Sequence, residues 1–147
     1  MKHWLGLRFN QNHKNIAIVD KTGSYTYHNL IEQVDLYSAI LNKQIAKGSR
    51  IAILSDYSFN SIALLLAGIE LNLILIPIIS NNCSEIKEKI SASGAQYLLS
   101  LTGAELTIKY SPIDEEADNS LCNSLKTKNQ QLLKFIKLFD INKIIKD

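Results

Sequence analysis

The stretch Arg50–Ile79, RIAILSDYSFNSIALLLAGIELNLILIPII, decides how the chain is read. A short apolar run, Ile51-Ala52-Ile53-Leu54, meets a polar turn at Ser55-Asp56-Tyr57-Ser58. A segment apolar nearly all round follows from about Phe59 to Leu71. A second β-branched run closes the unit over Leu73–Ile79. Runs this apolar suit strands covered on both faces, as in a parallel sheet. A helix apolar on every side belongs between layers rather than on the surface. The stretch therefore predicts a strand–helix–strand crossover at the centre of the fold.

Working outward on the N-terminal side, Leu5–Phe9 suits a short amphipathic helical turn. Ile16-Ala17-Ile18-Val19 has the β-branched content of a strand. Asp20–Ser24 supplies a turn with Gly23 free to take positive φ, and Tyr25-Thr26-Tyr27 returns as a second strand. A long helix is expected over Tyr27–Lys47, because Leu30, Ile31, Val34, Tyr37, Ile40, Leu41 and Ile45 recur every three or four residues. Thr26 is placed to cap it and Gly48 to end it. On the other side, Ser84 is the expected cap of a helix over Glu85–Ser93, with Ile86 and Ile90 facing inward and Gly94 at its end. Gln96–Leu101 is the third core strand. Strands alternating with helices predict a right-handed parallel crossover sheet.

Beyond Thr102 the patterning weakens. Leu106–Tyr110 alternates and suits an edge strand. Ser111–Asn119 reads as a solvated acidic loop, since its carboxylates lack the glycine-turned spacing of a calcium loop. Leu121–Phe139 has the periodicity of a helix. The division expected is residues 1–103 as one α/β unit and 104–147 as an extension packing on the same domain.

Composition narrows the function. In 147 residues, 46% are hydrophobic and 20% charged, which suits one soluble globular domain with a real core. Sixteen basic residues against 14 acidic ones give a net charge of only +2, with no basic stripe for nucleic acid. Cys83 and Cys122 stand far apart, without the paired spacing of a zinc site, and are expected to be thiols in a reducing cytosol. His3, His13 and His28 lie near no nucleophile motif, and GxSxG is missing. Trp4 and Phe9 are expected as core or staple residues. The segment Ile62–Ile79 is long and apolar, but Glu70, Asn72 and Pro77 argue against a membrane span. Glu70 is expected at the helix end, reaching solvent. The N-terminus has no apolar core of signal-peptide length, so a cytoplasmic protein is expected.

The run Ile16–Leu101 resembles the N-terminal part of the adenylate-forming superfamily: acyl-CoA synthetases, luciferases and peptide-synthetase adenylation domains. The order AIVD, turn, YTYHNLIEQVDLYSAIL, KGSRIAIL, SIALLLAGIELNLILIPI, EIKEKISASGAQYLLS matches throughout. The Thr26-Tyr27 pair, Gly48, Arg50, Pro77 and Gly94 fit the pattern. Asn29 stands where the family favours glutamate, Asn72 where it favours glycine, and Leu75 also departs. The resemblance implies an α/β fold, a three-layer parallel sheet with flanking helices.

It implies less about activity. Family members hold ATP with a Ser/Thr/Gly-rich loop of the kind TSGTTGxPKG, whose backbone N–H groups cradle phosphate. Leu101-Thr102-Gly103-Ala104 lacks the second glycine and the lysine, and reads as a turn. The ribose-binding aspartate and the lid lysine lie beyond this length, since a complete member is about three times longer. No catalytic, cofactor-binding or metal-binding residue is therefore assigned. ATP with magnesium, and CoA or a carrier protein, belong to the full-length family. The expectation is a truncated or split ligase segment that needs a second polypeptide and does not catalyse alone. The alternative is a standalone binding or scaffold module that kept only the fold.

Overall fold

A computed structural model of the chain describes residues 4–79 and 82–110. The expected acidic loop, the helix over Leu121–Phe139, Cys122 and His3 lie outside the described residues. The described residues form two sheets, an antiparallel hairpin and a four-stranded mixed sheet.

Helix α1 spans Trp4–Gln11, and the hairpin pairs β1 (Ile16–Asp20) with β2 (Gly23–Thr26). Helix α2 starts at Tyr27 behind a reciprocal cap. The Thr26 hydroxyl accepts the Asn29 N–H, while the Asn29 side-chain oxygen accepts the Thr26 N–H at 3.0 Å. Asn29 thus performs the return half of a capping box usually given to glutamate or glutamine.

The periodicity placed the end of α2 three residues too late. The helix stops at Gln44, not Lys47, and Ile45 turns extended with φ −123° and ψ 126°. The cause is tertiary. Ile45 is 7% exposed, and leaving the helix lets its side chain drop into the core. Gly48, at φ 79°, then donates its N–H to the Asn72 carbonyl.

The central crossover is as the sequence predicts. Strand β3 (Arg50–Leu54), helix α3 (Phe59–Glu70) and strand β4 (Ile74–Ile78) follow in order, with β4 parallel to β3. Helix α4 (Cys83–Ser93) leads to β5 (Tyr97–Thr102), parallel to β3 on its other side. Strand β6 (Glu105–Tyr110) folds back antiparallel on β5, so the sheet order is β4-β3-β5-β6. The sheet is parallel over three strands and closed at one edge by an antiparallel one. The cap of α4 is Asn82 rather than Ser84: the Asn82 side chain accepts the Ser84 N–H at 3.0 Å. Gly94 ends α4 at φ 61°.

Strand alternation sorts the core into two layers. Ile51 and Ile53 of β3, with Leu99 and Leu101 of β5, face α2 and α3 in one cluster. Ala52, Ile78 and Leu98 face the opposite way, onto Ile86 and Ile90 of α4. Helix α3 packs on both α2 and β4, which explains its apolar circumference. Its fit to β4 depends on a glycine: a methyl built at Gly68 would stand 2.6 Å from Leu75 Cδ2.

Candidate functional site

In an open α/β sheet the ligand end is the carboxyl end of the parallel strands. Here that end carries the turn Ser55–Ser58 after β3 and the turn Gly103-Ala104 after β5. The β3–α3 turn leads into the N-terminus of α3, where unpaired N–H groups and the helix dipole favour an anion.

That anion is internal. The Asp20 carboxylate, at the end of β1, accepts the Phe59 N–H at 2.9 Å. Its other oxygen accepts the Thr22 N–H at 2.7 Å and the Thr22 hydroxyl. These bonds hold the Asp20 carboxyl down at about 2: the Thr22 hydroxyl first, then the Phe59 and Thr22 amides, outweigh what desolvation costs the charge. Tyr25 stacks on Phe59, ring centroids 3.9 Å apart and planes 10° apart, which fixes the hairpin over the helix end. Ser58 and Ser61 accept each other's backbone N–H in a second capping box, and the Ser61 hydroxyl also donates to the Asp56 and Ser58 carbonyls. Lys21 and Asp56 pair across the outside at 3.6 Å, both well exposed. The turn that begins the crossover is thus closed by the protein's own groups.

The turn Thr102-Gly103-Ala104 is a β-hairpin turn, with Gly103 at φ 62°. Its carbonyls are engaged inward. Gly103 accepts from the Asn60 amide at 3.2 Å, and Ala104 accepts from the Tyr37 hydroxyl at 3.1 Å. Neither of these two turns carries the run of glycines that a phosphate-cradling loop uses.

At the opposite end of the sheet lies a cleft of about 200 Å³ lined by Asn42, Lys47, Glu70, Asn72 and neighbouring apolar residues. Glu70 is half-buried as the last residue of α3. His13 sits in the turn after α1, its Nδ1 in contact with the Asn10 carbonyl, and His28 pairs with Glu32 one helical turn on. Among the described residues, no three His, Cys, Asp or Glu side chains converge as a metal site would require. Among them also, no helix is long and apolar enough to cross a membrane. Cys83, expected as a thiol, is disulfide-bonded.

Fold and turns together define an α/β scaffold of the adenylation kind, without a nucleotide loop in its described part. The family described as "AMP-binding enzyme" matches residues 7–142, and the chain belongs to that family. The match runs past both ends of the Ile16–Leu101 stretch that carries the resemblance. The N-terminal subdomain of Klebsiella oxytoca NpsA, solved with 3-hydroxyanthranilyl-AMSN, is 28% identical with a TM-score of 0.60. That likeness covers 68% of this chain and 28% of the other. An artificially fused adenylation–PCP di-domain, NpsA-ThdA, from the same organism is also 28% identical, at TM-score 0.59, covering 68% and 21%. The amide bond synthetase McbA of Marinactinospora thermotolerans shares the fold at 24% identity and TM-score 0.56, covering 65% and 20%. The chain thus spans between a fifth and under a third of these structures. A comparison with curated protein sequences finds no match.

Asp20 is the residue that sequence reasoning passed over. Local pattern places it only in a turn, because its partner Phe59 is 39 residues away. The one local hint is Thr22 two residues on, an Asx-turn spacing that fixes the carboxylate but not its target.

Proposed function

We propose that this chain is the first structural segment of an AMP-dependent ligase and does not activate a carboxylic acid by itself. The observation that carries the proposal is the filled N-terminus of α3. In this crossover the anion position holds Asp20, with Ser58 and Ser61 completing the cap. Nucleotide binding then has to come from another part of the protein. The coverage of under a third of the NpsA subdomain supports the same view.

In this reading, the ATP loop, the magnesium site and the acceptor site for CoA or a carrier protein are supplied by a second polypeptide carrying the rest of the fold. The described residues supply a rigid wall of sheet and helices that positions those parts. The substrate is a carboxylic acid, and the reaction joins it to AMP with release of pyrophosphate.

The test is ATP–pyrophosphate exchange with a panel of carboxylic acids. The chain alone is expected to give no exchange above background. Exchange is expected when it is co-expressed with a polypeptide carrying the rest of an adenylation domain. Turnover by the chain alone sinks the proposal.

A further inference from the structure

We infer that Cys83 and Cys122 form a disulfide within the chain, and that a dithiol opens this bond while the fold stays intact. The bond is then a redox-sensitive tether at the start of α4.

Cys83 is disulfide-bonded in a structure that holds a single chain. The sequence has two cysteines, and the other is Cys122, outside the described residues. The partner follows from that count, and the length of the chain permits it. Tyr110 pairs with Tyr97 at the amino end of β5. Helix α4 follows β4 and so begins at the opposite, carboxyl end of the sheet. The six residues of β5 span about 20 Å. The chain from Tyr110 to Cys122 can reach about 40 Å.

Two features of Cys83 suit a bond that opens readily. It is the first residue of α4, a helix of 11 residues, where the positive end of the dipole favours negative charge on sulfur. The carboxylate in the same turn, Glu85, is paired with Lys89 at 2.5 Å. A sulfur that carries charge well also leaves well in thiol–disulfide exchange. The second feature is access. Cys83 is half-buried rather than enclosed, so a small thiol reaches the bond without unfolding the core.

The exchange balances with a dithiol as reductant. One of its thiolates attacks the Cys122 sulfur, the S–S bond breaks, and Cys83 leaves as a thiolate that takes up a proton. The second thiolate of the reductant attacks the mixed disulfide and releases Cys122, which is protonated in turn. The dithiol becomes a disulfide, and the chain gains two electrons and two protons as two thiols. The loop that opens has about 40 residues and contains α4, β5 and β6. Releasing a loop of that length raises the unfolding constant about five-hundredfold.

The test uses the full 147-residue chain, equilibrated in a glutathione redox buffer and digested with trypsin without reduction. The peptides covering residues 51–87 and 110–126 are expected as one linked species. Dithiothreitol without denaturant is expected to free both thiols together while the far-ultraviolet circular dichroism stays native. The urea midpoint should fall on reduction, in line with the five-hundredfold change. Cys122→Ser should lower it equally and make it indifferent to dithiothreitol. Cys83 alkylated as a free thiol after oxidation overturns the inference, as does a link between two chains. A bond that opens only once urea has unfolded the chain is a structural staple and overturns the switch. A midpoint unmoved by reduction, or one that still responds to dithiothreitol in Cys122→Ser, overturns the tether.

Discussion

The Asp20 carboxylate accepts the backbone N–H of Phe59 at 2.9 Å and so joins the β1–β2 hairpin to the first turn of α3. Its carboxyl titrates at about 2 in the fold against 3.8 in a free side chain. A depressed pKa contributes stability that is complete above pH 3.8 and is lost as pH falls towards 2. Asp20→Asn keeps the shape and removes the charge. The variant should melt below the wild type at pH 6, and the gap should close between pH 4 and pH 2. A gap that stays constant over that range means the charge is not what holds the helix end.

Helix α3 ends on a left-handed residue that is not glycine. Asn72 has φ 55°, its N–H donates to the Ile69 carbonyl, and the Leu73 N–H donates to the Gly68 carbonyl at 3.0 Å. These two bonds are the paired closure of a Schellman motif, with Asn72 at the position glycine favours. The resemblance places a glycine there, and asparagine is the side chain that best tolerates the conformation. Asn72→Gly should raise stability by about 0.5 kcal/mol, and Asn72→Ala should lower it by about 1 kcal/mol. Urea denaturation of the three proteins decides, and an Ala variant as stable as wild type refutes the account.

The contact of Gly68 with Leu75 makes the sign of one substitution depend on another. Gly68→Ala gains about 1 kcal/mol of helix propensity but forces a methyl against Leu75, at a cost of roughly 1–3 kcal/mol. The net expected is a loss of about 1 kcal/mol. In a Leu75→Ala background the obstruction is gone, and the same change should gain about 1 kcal/mol. A double-mutant cycle by chemical denaturation measures the sign change. Additive effects would show that Gly68 is not there for close approach.

What was legible in the sequence was what local periodicity encodes. The crossover Arg50–Ile79 is visible because two short β-branched runs flank a run too long and too leucine-rich to be a strand. The Thr26 cap and the Gly94 stop are visible because each acts within a few residues of itself. The errors arise where distant packing overrides local preference. Burial of Ile45 ends α2 early, although Lys47-Gly48 looks like a better stop. One difference is local instead: the Asn82 side chain accepts the Ser84 N–H two residues on, and α4 starts at Cys83. The link from Asp20 to Phe59 leaves no periodic trace at all. Glycine spacing carries the expectation that the chain has no phosphate loop. That the crossover's own anion position is already filled required the structure.

Tyr37 gives a test of that long-range packing at alkaline pH. Its ring is 1% exposed in the middle of α2, and its hydroxyl donates to the Ala104 carbonyl, 67 residues away in the β5–β6 turn. Burial raises its pKa above the ordinary 10.0, against a smaller downward pull from the Gln33 side chain. A folded state that holds the proton more tightly contributes stability that is complete below pH 10 and lost as pH rises through the higher folded value. Tyr37→Phe removes the hydrogen bond and the titration together. Because Ala104 is exposed and its carbonyl can turn to water, the loss at pH 7 should be about 1 kcal/mol, the net worth of one such bond. Above pH 10 the wild type must either deprotonate a buried phenol or unfold, whereas the variant has nothing to titrate. The gap should therefore shrink as pH rises above 10. Stability curves measured by urea denaturation from pH 7 to pH 11 check this. Parallel curves for the two proteins would mean that the phenol is not held in the core as the structure places it.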